Sequence, residues 1–266
     1  MPSHKYILWR LTMNKRERLI AYACKEAGDW SRIAEDLRYA KDCTYVSDEP
    51  CITIYDEIYP ESLRKLRFPP WVLFYRGDIS LLKKQSLTIV GSRKMTEYGY
   101  RVTVHIADVL KERFVLVSGL AAGIDAAVHS SALAGGRTIG VIGSGFDTQY
   151  PSQNRELYEQ MQKDHLILSE YPHSVGVRKE HFPWRNRILA ALGQCIIVTE
   201  ARIKSGSMLT VNEAIALSKD IYCVPSLFDF ESGKGCNRLI SQGAFMLYEM
   251  EQLKDIVPEK QENRKI

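Results

Sequence analysis

Short apolar runs alternate with helical patterns along the chain after residue 86. Each run is rich in Ile and Val and is apolar at successive positions rather than at every second one. Strands of this kind are buried on both faces, as in a parallel sheet covered by helices. Their alternation with helices predicts an α/β fold with a Rossmann-like, doubly wound and mostly parallel sheet. The runs occupy residues 87–90, 114–117, 138–142, 166–168, 195–198 and 221–224.

The chain before this region follows other patterns. Residues 13–41 are polar with apolar positions at helical spacing, and Gly28 interrupts them. We therefore predict two short helices, the second capped by Asp29 or Ser31. A further apolar run over 71–75 predicts one more strand. Three parts are expected: a small helical N-terminal region over 1–47, a Rossmann-like domain over 48–257 and a polar tail over 258–266.

Small residues follow several predicted strands, at the edge of the sheet where ligands of such folds bind. Gly91 and Ser92 follow the first run, Gly119 and Gly123 frame the loop after the second, and a Gly-Ser-Gly segment over 143–145 follows the third. Small residues let an anion approach backbone N–H groups at a helix N-terminus. Glycine also serves such turns through packing alone, but several such loops at one edge favour an anion site.

Basic residues concentrate around the same strand ends, although the net charge of the whole chain is only +4. Two aromatic residues, Phe182 and Trp184, are interleaved with them just before an apolar helix. A positive groove with rings for base stacking suits a single-stranded nucleic acid. The rings are also consistent with packing at the helix entrance, so that alternative stays open. The basic residues are Arg93, Lys94, Arg178, Lys179, Arg185, Arg187, Arg202 and Lys204.

Composition limits the class of protein further. With 45% hydrophobic and 26% charged residues, the 266-residue chain is neither disordered nor fibrous. Its six cysteines have no CxxC spacing, so we expect reduced thiols rather than a disulfide framework or a metal site. No apolar stretch approaches the roughly 18 residues of a membrane span, and the first twelve residues carry no signal-peptide pattern. A cytoplasmic protein without a membrane partner is expected.

Signatures of common enzymes are absent from the sequence. There is no GxSxG, HExxH or GxxxxGK[ST] motif, and the glycines at 143–145 do not extend into GxGxxG. We therefore predict no catalytic residues, no cofactor and no enzymatic activity.

A succession of motifs resembles the DNA-processing protein A (Smf) family over about residues 50–250. The motifs occur in the order Tyr59-Pro60, Pro69-Pro70 and Gly77, then residues 89–93, 118–129, 182–188, 205–207 and 235–240. The resemblance implies an extended Rossmann-like domain in a protein of natural transformation. Such a protein would bind and protect incoming single-stranded DNA, form a homodimer and load a RecA-type recombinase onto that DNA.

The resemblance also implies which residues contact DNA. Arg93 of the Gly-Ser-Arg motif, with Lys179 and Phe182, would surround a DNA-binding pocket beside the Ser-Gly-Ser loop at 205–207. Trp184 stands where the family is expected to carry a smaller residue. The full predicted set comprises Gly91, Ser92, Arg93, Lys179, Phe182, Arg185, Asn186, Arg187, Arg202, Lys204, Ser205, Gly206 and Ser207.

Two points stay open at this stage. Helical segments with apolar faces, expected at 239–240 and 245–247, are candidates for a dimer contact, but they also fit a core. In addition, Gly206, Thr210 and Glu213 resemble the PGGxGTxxE segment of nucleoside-monophosphate phosphoribohydrolases, in which the acid is catalytic. Leu209 stands where that segment has a glycine and would crowd the phosphate. Such an enzyme is the alternative function.

Overall fold

The structure is a computed structural model that describes residues 13–43, 45 and 47–256. Residues 1–12 of the predicted N-terminal region and the predicted tail over 258–266 lie outside the described residues. The strands in the described part are β1 Cys51–Thr53, β2 Val72–Gly77, β3 Ser86–Val90, β4 Val115–Ser118, β5 Thr138–Ile142, β6 Leu166–Ser169, β7 Ile196–Val198, β8 Ile221–Cys223 and β9 Phe245–Met246.

The α-helices of the same residues lie before and between these strands. They are α1 Lys15–Lys25, α2 Trp30–Tyr39, α3 Glu61–Arg64, α4 Glu97–Leu110, α5 Ile124–Leu133, α6 Arg155–Asp164, α7 His181–Leu192, α8 Gly206–Ala216 and α9 Lys234–Ser241. None of these described helices combines the length and apolarity needed to cross a membrane.

All the described strands belong to one sheet with the order β1-β2-β6-β5-β4-β3-β7-β8-β9. The strands from β6 to β9 in that order pair in parallel, whereas β2 is antiparallel to β6 and β1 is antiparallel to β2. The predicted mostly parallel α/β sheet is therefore confirmed. Strands β4, β5 and β6 lie on one side of β3, and β7, β8 and β9 lie on the other.

The core lies on both faces of this sheet, because successive side chains of a strand point to opposite faces. Val115 and Val117 of β4 belong to a buried cluster that contains Ile188 of α7. Leu116, between them, belongs to a second cluster that contains Leu110 of α4. Burial on both faces explains why the strands read as continuous apolar runs.

The two predicted N-terminal helices form and pack against the antiparallel end of the sheet. Leu19 of α1 is buried together with Phe74 of β2. The Asp29 side chain caps α2 by accepting a hydrogen bond from the backbone N–H of Arg32 at 3.0 Å, so Asp29 rather than Ser31 is the cap. The ring of Trp30 stacks on Trp71 with centroids 5.1 Å apart. The division of the chain at residues 47 and 48 stays a prediction.

Candidate functional site

An open groove of about 580 Å³ lies at the carboxyl edge of the sheet, between the loops that follow β3 and β7. The strand order reverses between these two strands, and α/β sheets bind ligands at such switch points. Most of the predicted DNA-contacting residues line this groove, although Arg187 and Lys204 do not. Those that do are Gly91, Ser92, Arg93, Lys179, Phe182, Arg185, Asn186, Arg202, Ser205, Gly206 and Ser207.

Backbone hydrogen bonds hold the loop after β3, which carries Arg93 at the protein surface. The Ser92 N–H donates to the Glu200 carbonyl at 2.7 Å, and the Ile124 N–H donates to the Ser92 carbonyl at 3.1 Å. A Cβ on Gly91 would lie 2.6 Å from the Ile124 side chain, so this close approach requires glycine. The Arg93 side chain is exposed and projects from a fixed backbone.

The N-terminus of α4 beside this loop is occupied by the carboxylate of Glu200. Glu200 is only 3% exposed, and its Oε1 accepts from the Thr96 N–H at 3.2 Å. The Thr96 hydroxyl donates to Oε2 of the same carboxylate. In dinucleotide-binding folds the first helix N-terminus holds the pyrophosphate. Here a phosphate at that position would meet a buried negative charge.

Phe182, in the first turn of α7, lines the groove and also packs against its neighbours. The Arg93 guanidinium lies over the ring, 5.0 Å from the centroid. The ring of Tyr150 lies 5.8 Å from that of Phe182, at an interplanar angle of 49°. Phe182 is half-buried, so the ring packs at the entrance of α7, and stacking of a base on it stays a prediction. Tyr150 also lines the groove, although it is not among the site residues predicted from the sequence.

Arg185 and Asn186 line the groove but use their polar groups inside the protein. Arg185 is 4% exposed, and its Nη1 donates to the Gly119 carbonyl at 2.6 Å and to the Val141 carbonyl. The Asn186 amide donates to the Gly206 carbonyl at 3.2 Å. These bonds join α7 to the loops and strands that form the groove. The two side chains therefore position the groove rather than project from it.

The buried carboxyl group of Asp125 lies beside Arg185. A Cβ on Gly119 would lie 2.5 Å from Asp125 Oδ2 and 2.6 Å from Arg185 Nη1, so both groups flank this glycine. Burial raises the pKa of Asp125, and the positive charge of Arg185 opposes that rise. Asp125 lines the groove, and the adjacent guanidinium of Arg185 offsets its negative charge.

Arg187 is the clearest correction to the predicted site. It is 3% exposed, its Nη2 donates to Glu170 Oε1 at 2.6 Å, and its guanidinium lies 4.1 Å from the centroid of the Trp184 ring. Residues two apart on a helix do not share a face, so Arg187 points away from Arg185 and into the core. The prediction that Arg187 contacts DNA is therefore wrong. Trp184 is likewise used in packing, with its ring 5.5 Å from that of Phe68.

The Ser-Gly-Ser segment forms the opposite wall of the groove, where α8 begins. The Ser207 hydroxyl donates to the Gly91 carbonyl at 2.7 Å and so joins the two loops. The Ser205 hydroxyl is buried without a hydrogen-bond partner among the described residues. A Cβ on Gly206 would meet no described atom within 4 Å, so the wall is open there. The N-terminal end of a helix and an unpaired hydroxyl are both suited to an anion.

Exposed cations surround this opening. Arg93, Lys179 and Arg202 are exposed and line the groove, and Lys204 is exposed on the loop of Arg202 but outside the lining. Leu209 lines the groove, whereas Glu213 is not among its lining residues. Within the described ranges no group of three His, Cys, Asp or Glu side chains is placed to hold a metal.

Several known proteins are similar to this chain in sequence and in fold. The chain is 41% identical over 213 residues to DNA processing protein DprA of Bacillus subtilis strain 168, which covers 79% of this chain and 71% of that one. The X-ray structure of DNA processing protein A from Streptococcus pneumoniae superposes with a TM-score of 0.77 at 32% identity, over 96% of this chain and 99% of that one. DNA processing protein A from Helicobacter pylori superposes with a TM-score of 0.71 at 30% identity, over 78% and 95% of the two chains.

The family profile described as DNA recombination-mediator protein A matches residues 50–258. This match covers most of the chain and agrees with the resemblance that the sequence motifs indicated. The chain belongs to the DNA recombination-mediator protein A family, whose members include the DNA processing proteins DprA and Smf.

Proposed function

We propose that this protein binds single-stranded DNA in the groove at the carboxyl edge of its sheet. The observation that supports this most is the combination, in one groove, of exposed cations with aromatic rings and a helix N-terminus that carries the unpaired Ser205 hydroxyl. Arg93, Lys179 and Arg202 would contact phosphates, with Lys204 at the margin. The structure of the Helicobacter pylori relative is described as showing a single-stranded DNA binding mode.

Single strands are expected to bind better than a duplex. The rings of Phe182 and Tyr150 can stack only on bases that are free of a partner strand, whereas cations attract both forms of DNA. The test compares a fluorescent oligonucleotide with its matched duplex by anisotropy, at low and high salt. Equal affinities for the two would contradict the proposed selectivity.

Nucleotide hydrolysis and base release are assayed in the same preparation, and release of free base would support the phosphoribohydrolase alternative.

Membership of the family supports a proposal for the wider role. We propose that the protein acts in the cytoplasm without catalysis, protects incoming DNA during natural transformation and loads a RecA-type recombinase onto it. Pull-down of a RecA-type recombinase with and without single-stranded DNA, followed by a strand-exchange assay, tests this role. The role would be contradicted if the protein did not accelerate assembly of the recombinase on single-stranded DNA.

A homodimer is proposed through the β9 edge of the sheet. Phe245 and Met246 of β9 are 54% and 42% exposed, and a strand edge offers unpaired backbone groups to a second copy. Residues 245 and 246, expected to lie in a helical segment, instead pair with β8 as strand β9. Of the other candidates, Leu239 and Leu247 are buried, and Ile240 is partly buried against the core. Sedimentation at micromolar concentration should show a dimer that Phe245→Glu dissociates. Tyr39→Glu, on the N-terminal helix α2, is the matched control and should leave the dimer intact.

A further inference from the structure

The loop between β8 and α9, over residues 224–233, presents apolar side chains to the solvent. Leu227, Phe228 and Phe230 are 75%, 96% and 37% exposed. Turns fix the backbone of this loop, because the Phe230 N–H donates to the Leu227 carbonyl at 3.2 Å and the Gly233 N–H donates to the Phe230 carbonyl at 3.1 Å. Packing within the chain therefore does not explain the position of the Phe228 ring.

The same loop is braced against the first turn of α9. The Asn237 side chain accepts from the Ser226 N–H and donates to the Ser226 carbonyl, both at 2.9 Å. The Ser226 hydroxyl fills the space that a Cβ on Gly233, the N-cap residue of α9, would take. The hydroxyls of Ser226 and of Ser232, which is 7% exposed, are buried without a hydrogen-bond partner among the described residues. A helix N-terminus with unpaired hydroxyls beside it is suited to an anion.

The N-terminus of α9 lies next to the groove. The Gly235 N–H donates to the Ala201 carbonyl at 2.8 Å, and a Cβ on Gly235 would lie 2.7 Å from the Arg202 carbonyl oxygen. The loop after β7 is therefore in direct contact with the start of α9. Since Arg202 also lines the groove, a ligand that leaves the groove past Arg202 comes next to α9.

A carboxylate of the β8–α9 loop is paired with a cation at this place. Glu231 Oε2 lies 2.7 Å from Lys234 Nζ. The hydrogen bond from Lys234 and, to a smaller extent, the charge of Arg202 lower the pKa of Glu231. Glu231 is thus an ionised group in the field of two cations, which is also the position that suits a phosphate. Exposed ion pairs are weak, so a phosphate can replace the carboxylate.

We propose that the β8–α9 loop and the N-terminus of α9 form a second contact for a single strand, outside the groove. A backbone phosphate would replace the Glu231 carboxylate beside Lys234 and Arg202, and a base would stack on the exposed ring of Phe228. This inference rests on the proposed function and extends the path of the same strand beyond Arg202. The exposed ring favours an unpaired strand as the ligand, because every unpaired base offers a face for stacking.

The length of the strand separates this contact from the groove. Anisotropy is measured with strands of about 5 and about 20 nucleotides, near the lower end and above the upper end of common site sizes. Phe228→Ala should weaken binding of the long strand by about 5-fold or more, the lower limit for loss of one base–aromatic stack. Its affinity for the short strand should equal that of wild type. Tyr39→Ala, at an exposed tyrosine on α2, is the matched control and should bind both strands normally.

Two charge variants of the ion pair should act in opposite directions. Lys234→Glu should reduce the slope of log affinity against log salt by about 0.7 for the long strand, the contribution of one phosphate contact. Glu231→Gln removes the competing carboxylate and should strengthen binding of the long strand by about 2- to 5-fold. If the pair only stabilised the loop, both variants would weaken binding or neither would change it. Lys83→Glu, at an exposed lysine outside the groove, is the matched control.

Photocrosslinking locates the contact without reference to affinity. A long strand that carries 5-iodouracil near one end, with the two ends labelled in turn, should form an adduct on the peptide that contains Phe228. Adducts confined to the groove would overturn the inference, and so would a loss of affinity in Phe228→Ala that accompanies a change of oligomeric state in sedimentation. If wild type binds both strands and the variants of Phe228 and Lys234 bind them equally well, the proposed function stands and this inference fails. If wild type binds neither strand, the proposed function fails.

Discussion

The guanidinium of Arg93 lies 5.0 Å from the centroid of the Phe182 ring. Such a cation–π contact at an accessible site is worth about 0.5–1 kcal/mol, less than a charge-assisted hydrogen bond to an anion. Arg93 can therefore exchange the ring for a phosphate without a large loss. The charged and aromatic parts of the groove meet at this contact, and variants can separate their contributions.

Reversing the charge of Arg93 or Lys179 should weaken binding of single-stranded DNA in a way that depends on salt. Each change to Glu replaces attraction of a phosphate by repulsion, and salt screens both. With about four phosphate contacts from Arg93, Lys179, Arg202 and Lys204, the wild-type slope of log affinity against log salt should be roughly −3, and each reversal should reduce it by about 0.7 or more. Titrations at several salt concentrations measure both quantities.

Lys83→Glu is the matched control for these reversals. Lys83 is exposed but does not line the groove, and its reversal changes the net charge by the same amount. Its affinity and salt slope should stay close to those of wild type. If Arg93→Glu and Lys179→Glu behave like Lys83→Glu, the groove is not the DNA site.

Phe182→Ala should weaken binding by an amount that hardly changes with salt. The change removes an aromatic ring from the groove and keeps every charge, and loss of one base stack is worth about 1–3 kcal/mol. Anisotropy at low and high salt measures the loss, and thermal denaturation shows whether the fold is kept. A large fall in melting temperature with intact DNA affinity would mean that Phe182 is a core residue only.

Arg187 should matter for stability and not for DNA contact. Truncation to Ala would leave the Glu170 carboxylate buried without its cation, and breaking such a pair typically costs about 3–5 kcal/mol. Burial raises the pKa of Glu170, which Arg187 opposes, so the carboxyl would take up a proton more readily in the variant. Denaturant unfolding measures the loss, and the double variant Arg187→Met with Glu170→Gln should recover part of it. Unchanged stability with lost DNA affinity would restore Arg187 to the contact surface.

The sequence predicted the sheet well because its parallel strands are buried on both faces, which leaves uninterrupted apolar runs. It also predicted most of the groove, because ligand loops follow the strands at one edge. Arg187 was wrongly assigned to the groove. The helical period of α7 indicates the opposite, because residues 185 and 187 lie two apart and therefore on different faces of the helix. Tyr150 was missed because it lies in a polar loop well after β5. Only the tertiary approach of that loop to α7 brings its ring to Phe182.

His129 should make the protein less stable in mild acid. The Thr138 hydroxyl donates to the Leu116 carbonyl at 2.6 Å, so in its 2.7 Å contact with His129 Nδ1 it must accept, and Nδ1 carries the proton. His129 Nε2 is buried without a hydrogen-bond partner among the described residues, and the positive charge of nearby Arg185 also disfavours a proton on the ring. Burial therefore lowers the pKa of His129 to about 3.

The sign of the effect follows from proton uptake. An unfolded histidine binds a proton below about pH 6.5, whereas the folded one does not until about pH 3. Between these values the unfolded state holds the extra proton. The free energy of unfolding should therefore fall as the pH is lowered, by up to about 1.4 kcal/mol per pH unit from this group.

His129→Leu removes the titration and places a buried apolar side chain of similar size at this position. Denaturant unfolding of both proteins from pH 7 to pH 4 should give a shallower pH slope for the variant, and other titrating groups cancel in the difference. Identical slopes would mean that His129 is protonated in the folded protein or accessible to water.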